Sequence, residues 1–227
     1  MSVLKKAPLL VSALLVAALA AGCSGGTSPG SAGSGHSASS SPSASPSPSS
    51  TVSVPPGVAL TAQGTNLGFG DTATVIFEPT KNTATVLSLT VKSARHGRLS
   101  DFKGFILDDP YKKKATYYYV QVKVKNVGTG DVGGVPIPLW GVNGANTLLP
   151  AVNFTSTFKK CASKPLPKTF APGDAVSTCL VYLSPQHGSL EAVSYRPSQE
   201  FNPIQWTGTI KQPRSQPAKK KHHHKKH

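Results

Sequence analysis

Thr116-Tyr117-Tyr118-Tyr119-Val120-Gln121-Val122-Lys123-Val124-Lys125-Asn126-Val127-Gly128 decides the fold. Its even and odd positions sort by chemistry. Tyr118, Val120, Val122 and Val124 fall on one face; Tyr117, Tyr119, Gln121, Lys123 and Lys125 fall on the other. A period of two, written in β-branched and aromatic residues, predicts a half-buried strand. Asn126 to Gly130 then supplies turn residues. One amphipathic strand cannot cover its own valines, so the surrounding chain should be further strands packed on that face.

The flanking sequence agrees. Ala73, Val75 and Phe77 alternate with Thr74, Ile76 and Glu78, and Pro79 ends the run. Leu87, Leu89 and Val91 alternate with Val86, Ser88, Thr90 and Lys92, and Arg95-His96-Gly97-Arg98 reads as a turn. Pro136 and Pro138 exclude a central strand, so residues 137–142 read as an edge segment. Asn143-Gly144 signals a hairpin into residues 147–152. Ala171-Pro172-Gly173-Asp174 is a tight turn, and residues 176–183, apolar on both faces, are expected in the middle of a sheet. Residues 190–195 and 204–210 close the body. Seven to nine short strands without a sustained helical period indicate an all-β sandwich or barrel over residues 57–210.

The chain begins with a different logic. Lys5 and Lys6 precede an apolar run from Leu9, and Ala20-Ala21-Gly22-Cys23 follows. A basic start, a short apolar run and small residues read as a secretory signal peptide over residues 1–22. A cysteine at the end of that run resembles a bacterial lipobox, which implies lipidation of Cys23 and cleavage before it. The large aliphatic residue usual three places before the cysteine is here Ala20. Residues 24–56, nearly all Ser, Gly, Ala and Pro, bury too little apolar surface to order and are expected to form a disordered stalk roughly 30 Å in coil dimension.

Exported chains can form disulfides, so Cys161 and Cys179 are expected to pair. Two free buried thiols or a two-cysteine metal site are the alternatives; no His or Cys stands at zinc-finger spacing near either.

The formal net charge is +15, and seven cations with no acid lie in residues 211–227. Lys219, Lys220, Lys221, Lys225 and Lys226 are expected to contact anionic lipid or wall polymer from a disordered tail. His222, His223, His224 and His227 are candidate ligands for Zn²⁺, Ni²⁺ or Cu²⁺, opposed by the surrounding lysines.

Catalytic signals fail on context. Gly26-Thr27-Ser28-Pro29-Gly30 matches a hydrolase elbow but lies in the stalk. Gly128-x-Gly130-x-x-Gly133 matches a dinucleotide fingerprint, but Gly134-Val135-Pro136-Ile137-Pro138 cannot open the helix that would hold pyrophosphate. Asp101, Asp108 and Asp109 are close in the chain, but paired-carboxylate chemistry needs two acids at a defined separation in a cleft; Asp108-Asp109-Pro110 reads as turn chemistry, and His96 and His187 adjoin glycines. Tyr117, Tyr119, Trp140 and Trp206 are either a glycan or peptide platform or packing residues.

The run 117–128, the turn Phe170-Ala171-Pro172-Gly173-Asp174 and the strand Cys179-Leu180-Val181-Tyr182-Leu183 before Pro185 together resemble an immunoglobulin-like extracellular domain of unknown function, found in actinobacterial and firmicute lipoproteins. The resemblance covers approximately residues 83–210. It implies an immunoglobulin-like antiparallel β-sandwich in the cell envelope and carries no catalytic residues. The expectation is a non-enzymatic surface lipoprotein, without cofactor, held on the extracellular face of the cytoplasmic membrane. Its ligand would be a protein or glycan, and no specific nucleic acid is expected. Metal binding through the tail is the alternative.

Overall fold

The computed structural model describes residues 52–107 and 109–213. The signal segment, Cys23, the stalk through residue 51 and the tail from residue 214 lie outside them. Ten strands form among the described residues: β1 (Asn66–Gly68), β2 (Thr72–Thr80), β3 (Thr83–His96), β4 (Thr116–Asn126), β5 (Trp140–Asn143), β6 (Leu148–Leu149), β7 (Ala175–Ser184), β8 (Leu190–Tyr195), β9 (Ile204–Thr207) and β10 (Ile210–Lys211). The excess over nine comes from two- and three-residue pieces.

Two sheets pack as a sandwich. Sheet I runs β1-β9-β8-β5-β6; sheet II runs β10-β3-β4-β7, with β2 also paired to β3. The pairing is antiparallel except for the short parallel pairs β1–β9 and β10–β3. Sheet II carries the long strands, and its alternation produces the core directly. Val75, Leu87, Leu89, Val91, Val120, Val122 and Val124 point inward onto Val193, Ile204 and Trp206 of sheet I. Burying such aliphatic side chains stabilises the fold by about 1.5–3 kcal/mol each.

Polar tips of aromatic residues tie the layers together. The Tyr182 hydroxyl donates to the Leu139 carbonyl at 3.0 Å, the Trp206 indole N–H to the Asp71 carbonyl at 3.0 Å, and the Tyr195 hydroxyl to the Ile76 carbonyl. Each ring fills the core while its single polar atom finds a main-chain acceptor, as a buried Tyr or Trp requires. At the end of β4, buried Asn126 donates to the Gly130 and Phe170 carbonyls and accepts from Thr85 Oγ1 and the Gly128 N–H. Gly128 is obligatory beside it. A Cβ there would lie 2.2 Å from the Val86 nitrogen.

Several expectations are corrected. Residues 176–183 are not central: β7 pairs only with β4. Its free edge is instead occupied by a loop, where the Val152 N–H donates to the Val181 carbonyl and the Ser163 N–H to the Cys179 carbonyl. β5 is interior, between β8 and β6, because Pro136 and Pro138 both precede its first residue and remove no ladder bond. Arg95 and His96 belong to β3, paired with Tyr119 and Tyr118. Asp109-Pro110 opens a four-residue helix α1 (Pro110–Lys113), with the Asp109 carboxylate accepting from the Tyr111 N–H at 2.7 Å. Residues 204–210 are two strands in different sheets. Gly208, between them, lies so close to Phe69 that a Cβ would approach the ring to 2.5 Å. Val52, Val54 and Pro55, expected in the stalk, are half-buried.

Candidate binding surfaces

The outer face of sheet II is built in rows fixed by strand register. Leu183 faces Tyr117, Val181 faces Tyr119 and Cys179 faces Gln121 across β7–β4; Lys123 faces Ser177 and Lys125 faces Ala175. On the other side of β4, Arg95, Ser93, Thr90 and Ser88 face Tyr119, Gln121, Lys123 and Lys125.

One half of that face is covered. Phe102 and Phe158 stack at 4.6 Å, and Phe154 lies 4.8 Å from Phe158. With Phe105 they form a second apolar cluster over Tyr117, Tyr119 and Val181. Tyr117 and Tyr119, on the face opposite the valines, are 3 % and 0 % exposed, so of the two readings packing holds for them. Burial raises the phenols of both, and Asp101 adds to the shift at Tyr119. The Tyr119 hydroxyl donates to Asp101 Oδ2 at 3.0 Å, and the Arg95 guanidinium sits 4.5 Å over its ring. Cys161 and Cys179 are joined, with Cα atoms 5.1 Å apart, which fits a disulfide. The bridge fastens the covering loop to edge strand β7.

The other half is open. Gln121, Lys123 and Lys125 are exposed, as are Lys92, Thr72 and Ser177. Lys92 is the extra residue of a bulge between Val91 and Ser93. Lys159 and Lys160 are exposed on the covering loop, where the Lys160 carbonyl accepts from Arg95 at 3.5 Å.

Sheet I offers a shallow groove of about 330 Å³, lined by Trp140, Leu148, Arg196, Pro197, Ser198 and Gln199. Trp140 is 37 % exposed, whereas Trp206 is buried. Of the four aromatic residues considered as a platform, only Trp140 therefore reaches the surface. Arg196 is held by its own turn, donating to the Ser198 and Gln199 carbonyls.

The remaining candidates are structural. Each described aspartate is used by the backbone near it. Asp71 accepts from the Gly68 N–H, Asp101 from Arg98, Asp109 from Tyr111, Asp131 from Gly133 and Phe170, and Asp174 from Ala171. His96 packs against Tyr118 with ring centroids 4.8 Å apart and the rings tilted by 45°, and His187 takes a positive φ of 57° in a turn. Gly128, Gly130 and Gly133 allow backbone to lie against backbone: a Cβ on Gly130 would stand 2.0 Å from the Ala84 carbonyl oxygen. No group of three His, Cys, Asp or Glu side chains gathers among the described residues. Asp108, Cys23, Lys219, Lys220, Lys221, Lys225, Lys226, His222, His223, His224 and His227 lie outside them. Residue-type alternation had already marked Lys92, Lys123 and Lys125 as outward-facing; the bulge that sets Lys92 outside the paired rows is announced by no local signal. No family model, no curated protein and no solved structure matches the chain.

Proposed function

We propose that the chain is a lipid-anchored protein of the bacterial cell surface that displays a non-enzymatic, immunoglobulin-like sandwich for binding in the envelope. The observation that carries this reading is the Cys161–Cys179 bridge, since such a bond persists in oxidising compartments outside the cytosol. It agrees with the signal-like residues 1–22 and with Ala20-Ala21-Gly22-Cys23, the basis for the anchor. The non-enzymatic role is supported by the use of the described aspartates as turn and cap acceptors. Exposed Trp140 and its groove offer a contact point for a glycan or protein ligand. The lysines of residues 219–226 add contacts to anionic lipid or wall polymer, with no cofactor required.

The test is Cys23→Ser in the full chain. The variant should move from the membrane fraction to the medium; retention in the membrane overturns the anchor. The second reading, metal binding by His222, His223, His224 and His227, rests on the sequence of the tail. Calorimetry with Zn²⁺, Ni²⁺ and Cu²⁺ on the full chain and on a variant with all four changed to Ala decides it. Equal binding by the two removes metal binding from consideration.

A further inference from the structure

The open half of sheet II has a regular chemistry. One row across the sheet reads Thr72, Thr90, Lys123, Ser177; the next reads Thr74, Ser88, Lys125, Ala175. These eight positions hold five hydroxyls and two ammonium groups, with no carboxylate, no ring and no long aliphatic side chain. Thr72 Oγ1 and Thr90 Oγ1 lie 2.7 Å apart and hydrogen-bond, which fixes the floor. Beyond the rows, Gln121 and Ser93 continue the polar surface, and bulged Lys92 adds a third exposed ammonium. Arg95, Lys159 and Lys160 stand at the border with the covered half. Glu78 is two outward positions away, at the far end of β2, and the Asp174 carboxylate beside the last row accepts from the Ala171 N–H.

Cations held on rigid strands without opposed carboxylates create a positive strip that attracts anions and gains little for stability. Lys123 and Lys125 are two residues apart on one strand, so their stems are about 7 Å apart along it. Ammonium groups at that repeat, above a floor of hydroxyl donors, suit a chain of phosphates separated by short hydroxylated links. A lipid surface would also call for apolar side chains that enter the headgroup boundary, and these rows contain none. We infer that the open half of the outer face of sheet II is a binding strip for a linear phosphodiester polymer of the cell wall. The polymer lies along β3 and β4, its phosphates paired with Lys92, Lys123 and Lys125 and its hydroxyls with Thr72, Thr90, Ser88 and Ser177.

This inference rests on the surface-display reading for access to the wall. Binding by the purified chain does not involve Cys23, so failure of the anchor and failure of the strip are scored separately. The probe is deacylated poly(glycerol phosphate), titrated into the full chain over a range of salt. Lys92→Gln/Lys123→Gln/Lys125→Gln should weaken binding roughly tenfold or more and flatten the log–log salt slope by about 2, since each contact with a flexible polyanion contributes about 0.7. Lys81→Gln/Lys103→Gln/Lys168→Gln removes the same charge from exposed positions outside both the strip and the tail and should change affinity less than about threefold at the same salt. Lys123→Arg/Lys125→Arg should retain binding and guards against a folding artefact. Equal weakening by the two triple variants, or none by the strip variant, overturns the inference. So does an equal loss of binding to phosphatidylglycerol vesicles, which would make the strip a lipid contact.

Discussion

The two halves of one strand face differ more than the two sheets do. Tyr117 and Tyr119 share their side of β4 with Gln121, Lys123 and Lys125, yet the tyrosines are sealed and the others are open to water. Strand geometry gives all five the same direction. What separates them is a cover made of residues 99–107 and 152–161, brought in from far along the chain and fastened by Cys161–Cys179. An outward parity therefore says which way a side chain points, and only the residue type says whether something lies above it. Aromatic rings at outward positions mark a third layer; lysines mark its end.

That contrast can be broken from the covered side. Phe102→Ala should remove the centre of the aromatic cap and cost about 3–5 kcal/mol, seen as a lower denaturation midpoint and as exposure of Tyr119. An unchanged midpoint would mean that the cap contributes nothing. Replacing both Cys161 and Cys179 with Ala should cost about 3 kcal/mol through the freed loop, again with the loss concentrated at Tyr117 and Tyr119 in hydrogen exchange.

Alkaline pH sharpens the same contrast. Burial, then the Asp101 charge, push the Tyr119 phenol above its ordinary value of 10.0, with Arg95 opposing; burial does the same at Tyr182. The folded value is raised, so the unfolded chain gives up the proton first. Stability from these groups is complete below pH 10.0 and declines as the pH climbs past it. Denaturant midpoints measured on both sides of that value should fall on the alkaline side, and a flat profile contradicts the burial. The smallest effect belongs to the open half. Lys123→Ala and Gln121→Ala should each shift stability by no more than about 0.5 kcal/mol.

The sandwich was legible because alternation and turn residues are local signals. Val120, Val122 and Val124 named their face, and Asn126-Val127-Gly128 named the end of the strand. The order of strands was not legible. Residues 176–183 look central because both their faces are apolar, but one face is apolar to meet the phenylalanine cap and the free edge is met by Val152 and Ser163. Residues 137–142 look like an edge because of two prolines that turn out to precede the strand. Cys161 and Cys179 were expected to pair from the export signal alone. The lysine strip was half visible: β4 displays Lys123 and Lys125, while the hydroxyl floor arises only when β2, β3 and β7 come into register.

The parallel pairing of the short outer strands bears on how the domain would carry load. β1 near the start of the body lies alongside β9 near its end, over three residue pairs. Tension applied to the N-terminal side of β1 and the C-terminal side of β9 draws these strands in opposite directions along their shared axis. Their hydrogen bonds then resist in shear, all rungs together, where a hairpin pulled from its open end would unzip one rung at a time. Resistance of this kind is set by the unfolding rate rather than by equilibrium stability.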